Sequence, residues 1–188
     1  DYHPPSDGFL ASLRHQDAVV RFRADGSVRW ILANHDGWGD AREPHLLEPV
    51  GEPFGWPYHQ HGPMLHPDDD GRVLMFDNGN YGRVTPYSTT LGVGDYSRLV
   101  EYSVSELDHT IQQTWEYRET LTGELYSSAF GDADYLDGDN ILGVFGFLYK
   151  EGGVDNNDLG LGDKSARVIE IARDRDDQVV WDVRLNGA

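Results

Sequence analysis

The chain has 188 residues, of which 38% are hydrophobic and 12% aromatic, which fits one ordinary domain with a substantial core. Thirty-three Asp and Glu against fifteen Lys and Arg give a formal net charge of −18. This balance argues against binding to nucleic acid or anionic membranes through bulk electrostatics, although a locally positive pocket stays allowed. Because the chain has no cysteine, disulfides, thiol catalysis and thiolate metal sites are excluded.

Other features of the sequence bear on the setting of the protein. Asp is commoner than Glu, and the lysines are Lys150 and Lys164. This skew indicates either a salt-adapted source or an acidic surface kept soluble by self-repulsion. No apolar run approaches the roughly 18 residues that span a bilayer, and no signal segment opens the chain, so we expect no membrane span. The chain begins at Asp1 without Met, and we interpret it as a fragment.

A tight turn followed by an apolar strand recurs three times along the chain. The turns are Asp7-Gly8, Asp70-Gly71 and Asp137-Gly138, and the strands that follow them cover residues 9–13, 72–76 and 141–145. Asp-Gly supplies the positive φ that a tight hairpin turn requires. We therefore predict a hairpin turn at each of the three dipeptides.

Pairs of alternating strands follow each turn, and the second strand of each pair carries one tryptophan. The pairs cover residues 19–23 with 28–32, 99–104 with 111–117, and 168–172 with 179–185. Period-two alternation and β-branched residues predict antiparallel strands, and no stretch shows convincing helical spacing. Further strands at 64–66 and 133–136 give about four strands per repeat. The sequence predicts an all-β fold, a β-propeller of four-stranded antiparallel blades.

The predicted blades cover approximately residues 1–60, 61–125 and 126–188, and the first lacks its innermost strand. Three blades cannot close a ring, and an open half would expose two long sheet edges. We therefore expect the C-terminal half of a six-bladed propeller, completed by another chain or by a longer precursor; a homo-oligomer stays open. The sequence also contains three insertions, at 34–60, 78–96 and 151–163. We predict that they are functional loops; the alternatives are loops without a functional role and loops that contact a partner domain.

Histidines form the first candidate site, in the segment Tyr58-His59-Gln60-His61-Gly62-Pro63. If the segment is extended, His59 and His61 share one face, a spacing that suits a catalytic or metal site. Such an H-x-H pair is also an ordinary incidental feature of loops. The sequence by itself leaves both interpretations open.

Polar residues at two other strand ends form the second and third candidates. Arg14 follows an apolar strand, and its planar guanidinium suits a sulfate or phosphate, although an ion pair with a nearby carboxylate is an equal alternative. His15 is expected to point away from Arg14. Asn78 ends another apolar strand, where it is placed to bind a ligand, to orient an imidazole or to form an Asx turn, and Arg83 would add positive charge. Equivalent strand ends of successive blades share one axial face, so we expect Arg14 and Asn78 to converge.

Several familiar site patterns are missing from the sequence. The acidic run Asp132, Asp134, Asp137 and Asp139 lacks the glycine and terminal Glu of an EF-hand, so a solvated hairpin is favoured over a calcium loop. No G-x-S-x-G, Walker or dinucleotide motif occurs. We expect no metal and no cofactor.

The three candidate stretches, in this order, resemble the bacterial arylsulfate sulfotransferase family. The resemblance is carried by S-L-R-H-Q-D-A-V-V followed by V-R-W-I-L, by H-Q-H-G with Met64-Leu65, and by M-F-D-N-G, and it covers most of residues 7–120. Members of that family are six-bladed propeller enzymes that move a sulfuryl group from one phenol to another without the nucleotide sulfate donor. The family's H-x-N motif and a further histidine from an earlier blade are not in this chain.

The resemblance implies a role for each candidate residue. His61 would attack the sulfate sulfur and become a transient sulfohistidine, and Arg14 would hold the sulfate oxygens. Covalent transfer through a neutral imidazole divides one difficult step into two easier ones. The remaining substrate-binding candidates are His59, His15, Asn78 and Tyr58, and the aromatic side chains of Phe54 and Trp56 line the phenol pocket or belong to the loop core.

The resemblance also implies partners and a location. The partners would be a phenolic sulfate donor and a phenol acceptor, and the setting would be periplasmic or extracellular. A competing hypothesis is a non-catalytic propeller that serves as a secreted or surface-associated binding or assembly module. The missing upstream histidines favour that alternative. A third hypothesis, a calcium-dependent surface protein, rests on the Asp clusters.

Overall fold

The computed structural model describes residues 2–4, 7–79, 96–118, 125–151, 154–155 and 163–186. Regular structure in these residues consists of β-strands and short 3₁₀ turns, without an α-helix. In the same part of the chain, no helix has the length and apolar character needed to cross a membrane. The strands form three mainly antiparallel sheets, which confirms the predicted all-β class.

The first sheet is a four-stranded antiparallel meander in chain order. Its strands are β1 (Tyr2–His3), β2 (Gly8–Leu13), β3 (Ala18–Arg23) and β4 (Val28–Leu32). β1 pairs with β2 through Tyr2↔Phe9 and His3↔Gly8. The innermost strand that was expected to be missing is therefore present, but only as a two-residue stub.

The second sheet contains the candidate histidines. Its strands are β5 (Glu48–Pro49), β6 (His61–His66), β7 (Asp69–Asp77), β8 (Arg98–Ser105) and β9 (Thr110–Tyr117). Strands β6 to β9 pair antiparallel in chain order, and β5 adds to β9 in parallel. The insertion that contains β5 also places the fully buried Leu47 in the core, so this loop contributes to the fold.

The third sheet has the order β10-β11-β13-β14, with β12 paired to the end of β11. Its strands are β10 (Asp132–Tyr135), β11 (Ile141–Glu151), β12 (Val154–Asp155), β13 (Asp163–Ala172) and β14 (Gln178–Asn186). Asp132 and Asp134 of the acidic run lie on β10, and Asp137 and Asp139 lie in the turn that joins β10 to β11. The run thus belongs to a β-hairpin, as the favoured interpretation predicts.

Two apolar clusters pack the three sheets face to face. Val73 and Met75 of β7 belong to the cluster shared with the first sheet, whereas Leu74 and Phe76 belong to the cluster shared with the third. The Phe76 ring centroid lies 5.0 Å from that of Phe145 on β11. Strand β7 is therefore apolar on both faces because the second sheet is covered on both sides.

The predicted role of the Asp-Gly dipeptides is wrong at two of the three positions. Gly138 has the expected positive φ of 78°. At the first turn the positive φ of 43° belongs to Asp7, and Gly8 is needed because a Cβ there would lie 2.5 Å from the Phe22 carbonyl oxygen. Gly71 lies inside β7, because the turn between β6 and β7 falls at residues 67–68. Asp tolerates the left-handed region, and close backbone packing also requires glycine.

Candidate active site

His61 begins β6, and Asn78 follows the last residue of β7, so antiparallel pairing brings the two side chains together. His61 pairs with Phe76 in the sheet register. The His61 Nδ1 atom lies 2.6 Å from the Asn78 Oδ1 atom. Asn78 is fully buried, whereas His61 is half-buried and remains accessible. The hypothesis that Asn78 orients an imidazole therefore agrees with the geometry.

The hydrogen bonds of Asn78 determine which nitrogen of His61 carries the proton. The Asn78 Nδ2 atom donates to the carbonyl oxygens of Ser127 and Phe130, both at 2.8 Å. Since the amide nitrogen faces two acceptors, Oδ1 faces His61 and accepts its proton. His61 Nδ1 is thus the donor in this contact, and in the neutral imidazole the lone pair lies on Nε2. A lone pair on the imidazole of a half-buried histidine is what a nucleophile needs.

His59 has different partners from His61, because its φ of +55° interrupts the extended segment. The His59 backbone N–H donates to Asp17 Oδ1 at 2.6 Å, and the Nδ1 atom of its ring lies 3.5 Å from the same oxygen. Its ring centroid lies 6.3 Å from that of His15. The segment is therefore not extended at His59, so the condition under which His59 and His61 would share one face is not met.

Arg14 and His15 lie in the 3₁₀ turn Arg14–Gln16, which joins β2 to β3 and ends at Asp17 in the left-handed conformation. Burial raises the pKa of Asp17, while the hydrogen bond from His59 and the charges of Arg14 and His15 lower it. The Asp77 carboxylate also raises this pKa. Asp17 therefore links the Arg14 turn to the segment that carries His59, whereas the convergence of Arg14 with Asn78 stays a prediction.

The backbone before His59 is held by the ends of β7 and β8. The backbone N–H of Tyr58 donates to Asp77 Oδ1 at 2.9 Å, and the Tyr58 carbonyl accepts from the backbone N–H of Gly79 at 2.9 Å. Arg98, which is 2% exposed, donates to Asp77 Oδ2 at 2.8 Å and to the Gly55 carbonyl at 2.8 Å. The segment therefore enters the site along a fixed path.

Arg98 stays charged in this buried position. Burial opposes its charge, but Tyr102, Asp77 and Glu116 outweigh burial and raise the pKa of Arg98 above its usual value. Two carboxylates and several carbonyls thus surround one guanidinium, which fits the fork geometry of arginine. The sequence analysis did not identify Arg98, although an Arg directly before the apolar residues Leu99 and Val100 of a predicted strand was a usable signal.

The aromatic residues near His61 are not those that the sequence suggested. Phe54 and Trp56 pack against the core shared by the first two sheets, which agrees with their interpretation as loop core. Phe130 is 61% exposed, and its ring centroid lies 6.5 Å from that of His61. Phe147 lies 6.2 Å from Phe130 by the same measure. The sequence analysis missed Phe130, whose position depends on a loop of the third sheet.

Two other expectations concern residues or ligands around the site. Arg83 lies outside the described residues. Where side chains are described, no group of three or more His, Cys, Asp and Glu is arranged to hold a metal ion. Asp139, from the acidic run, forms ion pairs with Arg72 and Arg173 instead.

Comparisons with known proteins identify the family of the chain. It is 33% identical to the arylsulfate sulfotransferase AssT of Lelliottia amnigena, over 78% of this chain and 27% of that protein. It is also 33% identical to the arylsulfate sulfotransferase AssT of Escherichia coli O6:H1, over 77% of this chain and 26% of that protein. The chain thus spans about a quarter of the length of these relatives. Residues 1–186 match the family model described as Arylsulfotransferase (ASST), and the chain belongs to this family.

Proposed function

We propose that this chain is part of an aryl sulfotransferase that transfers a sulfuryl group from a phenolic sulfate ester to a phenol acceptor. The transfer proceeds by a ping-pong mechanism through a sulfohistidine at His61. The observation that carries the proposal is the contact of His61 Nδ1 with Asn78 Oδ1, which leaves the Nε2 lone pair for attack. Family membership supports the same reaction class.

Each half-reaction exchanges one bond to sulfur. In the first, the Nε2 lone pair attacks sulfur, the N–S bond forms, the S–O(aryl) bond breaks, and the phenolate leaves with the electron pair. In the second, the oxygen of an acceptor phenolate attacks sulfur, the N–S bond breaks, and the pair returns to Nε2. Arg14 donates to the remaining sulfate oxygens and stabilises their charge in both transition states. Asn78 keeps the ring in the reactive tautomer throughout.

Phe130 supplies a surface for the aromatic ring of the donor and of the acceptor. Its exposed ring beside His61 offers the offset or edge contacts that aromatic pairs prefer. Tyr58 and His59 precede His61 in the chain, and His15 lies in the turn Arg14–Gln16. We retain them as substrate-binding candidates.

The three sheets are proposed as consecutive blades of a larger propeller, within which they form one partial propeller domain. Leu10 packs towards the second sheet, so its neighbour Phe9, which is 46% exposed, faces away from it. At the other end of the stack, Ile169 packs towards the second sheet and pairs with Asp182, so these two residues share a face. Trp181, the neighbour of Asp182, lies on the opposite face and is 48% exposed. Both ends of the stack thus present apolar side chains. The remaining blades, from another chain or a longer precursor, cover these faces in a periplasmic or extracellular setting.

Mass spectrometry of the full-length protein incubated with p-nitrophenyl sulfate tests the proposed function. We expect a sulfuryl mass increment on the peptide that contains His61, and its loss when a phenol acceptor is added. His61→Ala should abolish the increment and nitrophenol release, whereas the matched variant His59→Ala should keep both. An increment on His59, or none on folded wild-type protein, contradicts the proposal, and the second result favours a non-catalytic binding module.

A further inference from the structure

Gln60, the residue before His61, is fully buried and connects the second sheet to the first. Its side-chain Nε2 donates to the Ala18 carbonyl at 2.7 Å and to Ser12 Oγ at 3.2 Å. Ser12 Oγ in turn donates to the Gln60 backbone carbonyl at 2.9 Å. The residue therefore engages β2 and β3 through its side chain and its backbone.

The two residues that contact Gln60 lie on either side of the turn that carries Arg14. Ser12 is near the end of β2, Ala18 begins β3, and Leu13 pairs with Ala18 across the hairpin. Asp17, in the same turn, accepts the backbone N–H of His59 at 2.6 Å. Two consecutive residues, His59 and Gln60, thus hold both sides of the turn. His61 follows directly in the chain.

One atom of Gln60 indicates that its hydrogen bonds position the Arg14 turn more than they stabilise the fold. The Gln60 Oε1 atom is buried and has no hydrogen-bond partner among the described residues. A buried acceptor without a partner is unfavourable, and an apolar side chain of similar size would avoid it. The amide is therefore best explained by what its nitrogen holds, which is the Arg14 turn.

We propose that Gln60 is a positioning residue that fixes the Arg14 turn beside His61, so that the guanidinium and the Nε2 atom engage the same sulfuryl group. The proposal rests on the proposed function, because it assigns both groups to one reaction. Gln60 acts through Arg14 and does not itself touch the substrate. Its loss should therefore have little further effect when Arg14 is already absent.

The first test compares Gln60→Met, which keeps the side-chain size, with Arg14→Ala and the double variant in the full-length protein. Misplacement of about 1 Å can cost up to about 100-fold in rate, so Gln60→Met should lower kcat for p-nitrophenyl sulfate by about 10- to 100-fold. Adding Gln60→Met to Arg14→Ala should change kcat less than about threefold, because residues in one network are not additive. The control is Thr114→Val, which removes hydrogen bonds to Glu101 in a part of the fold away from His61.

A second measurement does not depend on sulfotransferase activity. Amide hydrogen exchange of the peptide 12–19 should become about tenfold faster in Gln60→Met and should stay unchanged in Thr114→Val. If the wild-type protein is active, either of two results overturns the positioning role. The first is unchanged exchange in Gln60→Met. The second is a loss of kcat on adding Gln60→Met that is as large in Arg14→Ala as in the wild-type protein. If the wild-type protein is inactive, the proposed function fails. Unchanged exchange in Gln60→Met would then show separately that Gln60 does not hold the Arg14 turn.

Discussion

The Nδ1 atom of His61 lies 2.6 Å from the Oδ1 atom of Asn78, whose Nδ2 atom is held by two backbone carbonyls. The amide therefore cannot rotate without losing both of those hydrogen bonds. Because the amide orientation is fixed, the tautomer of His61 is fixed as well. The protonation pattern of one side chain thus depends on a loop in the neighbouring sheet.

Replacing Asn78 should affect catalysis more than binding. In Asn78→Leu the imidazole loses its acceptor, so a smaller fraction of His61 carries its lone pair on Nε2 at the correct place. We expect kcat to fall by about 100-fold or more, as for other side chains that set the state of a catalytic histidine. Steady-state kinetics on protein shown to be folded gives the value. Asn140→Leu, which removes an amide bonded to Glu170, is the control, and a change below threefold in Asn78→Leu would contradict the assignment.

Removing the aromatic ring of Phe130 should weaken binding of the aryl substrates. An aromatic pair contributes about 0.5–1.5 kcal/mol, so Phe130→Ala should raise KM for the donor and the acceptor by about two- to tenfold. The kcat value should change less, because the nucleophile and its tautomer are retained. Leu107→Ala, at a side chain that is 94% exposed, is a control for loss of a surface apolar group. An unchanged KM for both substrates would exclude Phe130 from the aryl site.

Glu101 should make the stability of the protein depend on pH in acid. Burial raises the pKa of Glu101, but hydrogen bonds from Arg173, Arg72 and Thr114 outweigh burial and lower it from 4.5 to about 2. A folded-state pKa below the unfolded value stabilises the fold above pH 4.5, and this contribution is lost as the pH falls towards 2. Arg72 and Arg173 come from the second and third sheets, so the cluster also holds these sheets together.

The measurement is urea unfolding of wild type and Glu101→Gln between pH 7 and pH 2. At pH 7 the variant should be less stable by about 3 kcal/mol, the lower end of the cost of breaking a buried ion pair. The difference should shrink between pH 4.5 and pH 2, where Glu101 is protonated in the unfolded chain but still ionised in the folded protein. A difference that is the same at all pH values would show that the ionised carboxylate is not the stabilising species.

Gly131 should not tolerate a side chain. Its φ is +121°, and a Cβ would lie 2.5 Å from Cδ1 of the buried Phe76 ring. Gly131→Ala should destabilise the fold by about 2–4 kcal/mol, since left-handed backbone and core overpacking each contribute. Gly26 also has positive φ, but no atom lies within 4 Å of its added Cβ. Gly26→Ala should therefore cost about 1 kcal/mol, and thermal or urea unfolding should separate the two variants.

The sequence determined where the longer strands lie, because alternation and apolar runs are local properties of the chain. It did not determine their full lengths, since β11 continues to Glu151 although its predicted strand ends at residue 145. Strand β4 coincides with the predicted residues 28–32, and β10 differs from its prediction by one residue at each end. The three candidate stretches were also visible, since polar residues after an apolar strand form a local pattern. The turns were predicted less well, because Asp adopts positive φ itself and close packing can require glycine inside a strand.

Only the tertiary structure decided how the candidate residues work. The contact of His61 with Asn78 joins residues 17 positions apart, and those of Gln60 with Ser12 and of Arg72 with Asp139 span 48 and 67 positions. Such contacts depend on strand register and on how neighbouring sheets pack, which no local pattern specifies. Three features depend on contacts between two sheets: the tautomer of His61, the hold of Gln60 on the Arg14 turn, and the position of the exposed Phe130 ring beside His61.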